Sequence, residues 1–213
     1  MNSHSVSDST LTLPRRQRER LQRRRDIFLA AERVFAAKSY HGASIEEIAR
    51  AAEYGTGTVY LYFKDKEALY IELMGEKVGE LYGYVRQRIG GEKDPLAALR
   101  RLVQARMEFF DRNRAFFQIY TREGMDWWWL KSDKWAGVRQ LYNGYIELVT
   151  KLVKHGQRRG LLRKGDSRQY AIALSGMMVQ LTRDWLERKT ERPLTDSAAI
   201  VEELFLSGAQ VRK

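Results

Sequence analysis

The chain has 213 residues, 38 Lys and Arg against 27 Asp and Glu for a formal net charge of +11, and no Cys. That length supports one or two domains with a sizeable core, and the missing thiols exclude disulfides, thiolate nucleophiles and Cys-based zinc sites. The three His (His4, His41, His155) lie far apart, which argues against a metal centre, and the positive excess points to a polyanionic partner.

Ala, Leu, Glu, Arg and Lys dominate the stretches between only three prolines, and that composition predicts an all-α fold. No apolar run approaches the ~18–20 residues of a membrane span, and no apolar segment resembles a signal peptide. A soluble, cytoplasmic protein is expected, with no membrane association and no cofactor. With no Cys, no paired His and no Ser motif on a strand-turn-helix, no catalytic or metal-ligating residues are assigned and an enzyme is not expected. A basic membrane-surface or scaffold protein stays as the rival reading.

Residues 1–13 are Ser/Thr-rich and read as a disordered tail. Seven Arg follow between Arg15 and Arg25, either a solvated face or a nucleic-acid contact. The spacing of Ile27, Ala30, Ala31, Val34 and Phe35 predicts a first helix over about 16–39, with Gly42 suited to a left-handed turn after it. Ser44-Ile45-Glu46-Glu47 has the form of a capping box. Ile45, Ile48, Ala49 and Ala52 then give a short helix with one narrow apolar face. Glu53-Tyr54-Gly55 makes a tight turn into a third helix over about 56–63, on which Val59 and Phe63 share the core side. Asp65 can cap a long helix over about 66–89. Further helices are predicted over about 94–111, 114–124, 128–159, 166–189 and 196–210, with Asp94, Asp166 and either Thr195 or Asp196 as caps.

Helix, sharp turn and short second helix describe a helix-turn-helix, whose second helix enters the major groove while flanking groups hold phosphates. Gly57 has no side chain, so a backbone can approach closely there. Residues 25–70 resemble the DNA-binding head of the TetR family of bacterial transcriptional regulators. The residues that carry the resemblance are Ala31 and Phe35, Tyr40-His41-Gly42-Ala43-Ser44, Ile45-Glu46-Glu47-Ile48-Ala49, Gly57-Thr58-Val59-Tyr60-Leu61-Tyr62-Phe63 and Lys66-Glu67-Ala68-Leu69. It implies that Thr58, Tyr60 and Lys66 hold phosphates. Thr56, Leu61 and Tyr62 would lie nearest base edges, Ser44 would cap its helix against the DNA backbone, and Val59 and Phe63 would be core. Arg25 and its neighbours would add phosphate or minor-groove contacts. The chain departs from the family where Glu53-Tyr54-Gly55 stands in place of a common Gly-Val-Ser.

The resemblance further implies a head over 14–65 and a larger effector-binding and dimerisation domain over 66–213, with about nine helices in all. The partners would be a double-stranded DNA operator, a small hydrophobic effector and a second copy of the chain. In this family the last two long helices pair with their copies, which here assigns Leu174, Met178, Leu181, Trp185, Leu204 and Phe205 to a homodimer interface. Eleven of the 24 aromatics fall between residues 107 and 145, more than an even spread would give. The resemblance implies that helices four to seven enclose an effector cavity, here an apolar one lined by Met107, Phe110, Phe117, Tyr120, Trp127, Trp128, Trp129, Tyr142 and Met177 and suited to a lipid, an acyl chain or an aromatic compound. The string Tyr60-Leu61-Tyr62-Phe63 with Lys64 and Lys66-Glu67 is similar to fatty-acid-responsive members. A second basic cluster (Lys151, Lys154, Arg158, Arg159, Arg163, Lys164) reads as a solvated helix end, with a phosphate-bearing ligand such as an acyl-CoA as the other reading. The implied function is a ligand-responsive regulator, a repressor first and an activator second.

Overall fold

A computed structural model describes residues 13–122, 132–188 and 191–210, without the side chains of 119–122. The described residues form nine α-helices: α1 Arg15–Gly42, α2 Ile45–Ala51, α3 Thr56–Tyr60, α4 Lys66–Ile89, α5 Pro95–Arg112, α6 Arg114–Arg122, α7 Ala136–Arg158, α8 Ser167–Glu187 and α9 Ala198–Ala209. Short 3-10 turns at Asp133–Trp135 and Leu194–Ser197 lead into α7 and α9. An isolated antiparallel bridge joins Leu162 to Gln210. The chain divides into two compact units, Met1–Leu73 and Met74–Lys213. The division falls within α4 rather than at its start.

In the first unit, α2 packs on α1 and α3 on α2. Ile27, Ala30, Ala31 and Phe35 of α1, Ile48 of α2, Val59 of α3 and Phe63 are almost wholly buried. Each is where its periodicity predicts. The capping box forms as read: Ser44 Oγ accepts from the Glu47 backbone N–H at 3.2 Å, and the Ser44 N–H donates to the Glu47 carboxylate at 3.2 Å.

The turn at Gly42 departs from the expectation, while that at Glu53-Tyr54-Gly55 forms where it was read. Gly42 does not adopt a positive φ. The chain instead kinks inside α1 at Ser39, which has φ 63° and ψ 173°. The tight turn between α2 and α3 is made by Glu53 at φ 61°. Here an exposed glutamate holds the left-handed conformation that costs an L-residue roughly 1–2 kcal/mol and Gly nothing. Helix α3 stops at Tyr60 rather than Phe63, and Leu61 to Phe63 continue as a turn bonded back to Gly57, Thr58 and Val59.

The second unit is a helical bundle. Helices α7 and α8 pack along each other, α5 packs on both, and α9 packs on α5 and α8. Asp94 and Asp166 cap α5 and α8 as expected, accepting from Ala97 and Arg168 N–H at 2.9 and 2.8 Å. Thr195 and Asp196 do not cap α9. The N–H groups of Leu194 and Thr195 donate to the two carboxylate oxygens of Asp111 on α5, which fixes the approach to α9 through a residue more than 80 positions away. At Gly156 an added Cβ would lie 2.7 Å from the Leu162 side chain, so a larger residue there requires that buried leucine to move. The helix expected over 128–159 begins at Ala136, and residues 123–131 lie outside the described residues.

Replacing Glu53 by Gly removes the left-handed penalty and adds unfolded-state entropy. The expected net is a gain of up to about 1 kcal/mol in urea unfolding of the head. A clear loss of stability in that measurement would show that the turn is not strained.

Candidate nucleic-acid interface

Helix α3 is five residues long, and its N-cap, Gly55, supplies no side-chain hydrogen bond. Its orientation therefore comes from contacts. Val59 is fully buried, and Phe63 packs on Phe28 of α1 with ring centroids 5.2 Å apart. Arg24 lies over both rings, 4.6 Å from Phe28 and 5.9 Å from Phe63, and its guanidinium is held by Glu72 at 2.7 Å. Tyr54 in the turn donates to Asp26 of α1 at 2.8 Å, and that hydrogen bond together with burial raises its pKa.

With Val59 and Phe63 turned inward, the opposite side of α3 is fixed. Leu61 is 79% exposed and Tyr60 50% exposed, Gly57 is exposed, and Thr56, Thr58 and Tyr62 are half-buried. An outward leucine next to a tyrosine and two threonine hydroxyls is chemistry for thymine methyl groups and phosphate oxygens. A Cβ built on Gly57 meets nothing within 4 Å, so nothing within the described head demands a glycine there. Ser44 is half-buried, and its oxygen is used to cap α2; a hydroxyl still has its own proton to donate. Glu47, the other half of the box, is also paired with Lys38 of α1. Lys38 and the Ser44 N–H together hold its carboxyl below the usual carboxylate range.

Lys66 sits at the first position of α4, but its ammonium is turned to the end of α1. It donates to the carbonyls of Tyr40 and Ala43 at 2.8 Å each and lies 4.6 Å from the Tyr40 ring. Two of its N–H groups thus tie the head together. Arg25 is exposed, as are Arg16, Arg18, Arg20 and Arg23, all on the helical N-terminal part of α1 rather than on a tail.

In the second unit the structure gathers some of the expected effector residues and leaves others apart. Phe110 and Phe117 stack with centroids 3.5 Å apart, Met107 is fully buried, and Tyr142 and Met177 are half-buried. Trp127, Trp128 and Trp129 lie outside the described residues, as does the side chain of Tyr120. At the centre stands a residue that periodicity passed over, Arg106, only 5% exposed on the apolar face of α5. Its signal in the sequence was a charge at a core position, four residues before Phe110. Burial raises the Tyr142 pKa while the Arg106 charge opposes that shift. The basic cluster on α7 and its loop is exposed, with Lys151 against Glu147, Arg159 against Asp94 and Arg163 bonded to the Gln210 carbonyl.

The expected dimer set divides between covered and outward positions. Leu174, Met178, Trp185 and Phe205 are buried within one chain, and the Trp185 indole N–H donates to the Arg192 carbonyl at 2.7 Å. Their stripe packs the bundle itself. Leu181 is half-buried, and Leu204 is 62% exposed. The apolar groups left outward on these helices include Ile172 and Ala173 of α8 and Ala199, Ile200 and Leu204 of α9.

Two family models match the chain. Bacterial regulatory proteins of the tetR family match residues 27–73, and the tetracyclin repressor-like C-terminal domain matches residues 92–209. The chain belongs to the TetR family. It is a DNA-binding transcriptional regulator. A fatty acid metabolism regulator protein of Bacillus subtilis is 26% identical over 189 residues, covering 85% of this chain and 93% of that protein. The structure of the fatty acid degradation regulator FadR from Bacillus halodurans superposes with a TM-score of 0.80 at 25% identity, over 89% of this chain and 97% of that one. The transcriptional regulator FadR from B. subtilis in complex with stearoyl-CoA shares the fold, with a TM-score of 0.78 at 22% identity over 87% and 99% of the two chains. Among the described residues no helix is long and apolar enough to cross a membrane, and no cluster of His, Asp and Glu could hold a metal ion.

Proposed function

We propose that this TetR-family member is a cytoplasmic, homodimeric repressor whose operator affinity falls when an acyl-type effector binds its second unit. The observation that carries the reading is the outward face of α3, where Tyr60 and Leu61 are exposed because Val59 and Phe63 are not. Tyr60 and Thr58 contact phosphates, with the Ser44 hydroxyl at the start of α2. Leu61, Tyr62 and Thr56 lie against base edges, and Gly57 lets the DNA backbone approach. Arg25 and the other exposed arginines of α1 add sequence-independent attraction, which weakens as salt rises. Lys66 is left out of the contact set, because its ammonium already serves Tyr40 and Ala43.

A five-residue reading helix covers few base pairs, so specificity requires two heads on two half-sites about one helical turn apart. The second copy docks on Ile172, Ala173, Ile200 and Leu204, apolar positions of α8 and α9 that the chain leaves exposed. The effector enters the aromatic region around Met107, Phe110, Phe117, Tyr142 and Met177. Two similar proteins are named for fatty acid regulation and a structural neighbour was solved with stearoyl-CoA, which favours an acyl chain over an aromatic compound. Effector and operator then select different conformations, so each lowers the affinity of the other by the same factor. Helix α4 contributes residues to both units and is the covalent route for that coupling.

Two outcomes follow. Leu204→Glu places a charge on the proposed dimer face; sedimentation should show monomers, and operator affinity should fall by tenfold or more on the order-of-magnitude scale of a lost half-site. An unchanged dimer would remove α9 from the interface. In fluorescence anisotropy with DNA from upstream of the gene, saturating stearoyl-CoA should release wild-type protein by about tenfold in affinity, within the usual range of coupling energies. Tyr60→Ala should bind that DNA weakly with or without the effector. No release of the wild type by stearoyl-CoA, with binding confirmed by calorimetry, would remove acyl-CoA as the inducer.

A further inference from the structure

Arg106 is a charge in an apolar core. It is 5% exposed on α5, and its guanidinium carbon lies 5.3 Å from the Phe110 ring and 5.1 Å from the Tyr145 ring of α7. The two aromatic faces give cation–π attraction but offer no acceptor. Its Nε has no hydrogen-bond partner, and no carboxylate among the described residues pairs with it. The two nearest acids along α5 are committed elsewhere: Glu108 to Tyr84 and Arg88, Asp111 to the Leu194 and Thr195 N–H groups. Tyr145 is 3% exposed, and its hydroxyl is also without a partner. Burying an unpaired guanidinium costs several kcal/mol, and an orphaned hydroxyl adds to that cost. A methionine of similar volume would pack there without the cost of the charge.

From this pair we infer that Arg106 and the Tyr145 hydroxyl receive an oxyanion borne by an apolar effector, with the stacked Phe110 and Phe117 alongside its hydrocarbon body. An arginine presents several N–H groups in a fixed fork that suits two oxygens of one anion, and a tyrosine O–H adds one more donor. A carboxylate at the end of an apolar chain satisfies all of them and neutralises the buried charge. An acyl-CoA, whose thioester carbonyl is neutral, carries its oxyanions on the phosphates of the CoA moiety and is the other source on the same chain. An uncharged alcohol of equal length satisfies neither the charge nor the fork. The inference rests on the reading of the second unit as an effector domain and names the chemical group that domain recognises.

The test uses the full chain, with dodecanoate, dodecanoyl-CoA and dodecanol as probes in calorimetry and thermal-shift assays. The variants are Arg106→Met and Tyr145→Phe, the second keeping the ring and losing only the hydroxyl. Without probe, both variants should melt no lower than wild type. Arg106→Met should weaken whichever of dodecanoate and dodecanoyl-CoA binds wild type by about tenfold or more, and Tyr145→Phe by about threefold or more, since hydrogen bonds to charged groups are the stronger ones. Dodecanol should bind all three proteins alike. The affected probe identifies the source of the oxyanion. Equal binding of dodecanoate and dodecanoyl-CoA by Arg106→Met, Tyr145→Phe and wild type would overturn the inference and leave the effector reading intact. Failure of wild type to bind any of the three probes would overturn both.

Discussion

A five-residue helix cannot hold itself in water: its nucleation cost is never recovered over so few hydrogen bonds. Everything the head presents to DNA therefore depends on the burial of Val59 and Phe63. Phe63 packs on Phe28 beneath the Arg24 guanidinium, and Glu72 holds that guanidinium in place. Fixing these two side chains inward fixes Tyr60 and Leu61 outward, because the helical period leaves them no other side. The capping box at Ser44 and the tie from Tyr54 to Asp26 hold the preceding helix and turn in the same register. The recognition surface is thus a by-product of core packing, and its chemistry is set by what the core leaves over.

Much of this was legible in the sequence because the forces are local. The spacing of Val59 and Phe63, the Ser44–Glu47 pair and the caps at Asp94 and Asp166 each involve residues within one helical turn, and each forms as read. What escaped depends on distant partners. A lysine opening a helix after a recognition motif reads as a phosphate contact, and nothing local shows that Lys66 also gives two of its three N–H groups to carbonyls 23 and 26 residues earlier. Nothing near Gly42 reveals that Ser39 and Glu53 take the left-handed turns. Thr195 and Asp196 have the chemistry of caps, but Asp111 of α5 already fixes that corner.

The apolar stripe on α8 shows a different limit. Periodicity says that Leu174, Met178 and Trp185 are covered without saying by what. In the fold they are covered by the same chain, and the outward positions are one step round the helix at Ile172 and Ala173. Arg106 is the converse. A charge among core positions breaks the hydrophobic pattern, and sequence reasoning that scores apolar faces discounts it. The structure makes it conspicuous, because the pairing that normally justifies a buried arginine is missing. A buried charge without a carboxylate partner is the kind of departure from packing rules that a functional site can impose.

The claim that α3 lies on DNA is tested most directly at Gly57. Apart from its chain neighbours and the backbone of its own helix, nothing in the described head lies within 4 Å of a Cβ added there, and alanine favours a helix over glycine by up to about 1 kcal/mol. Gly57→Ala should therefore melt at the same temperature as wild type or higher. In anisotropy with DNA from upstream of the gene, against a scrambled control and across a salt series, it should nevertheless lose about tenfold or more in affinity for the native fragment, because the added methyl stands where the DNA backbone approaches. Wild-type affinity retained by this stable variant would contradict the account and move the reading surface away from α3.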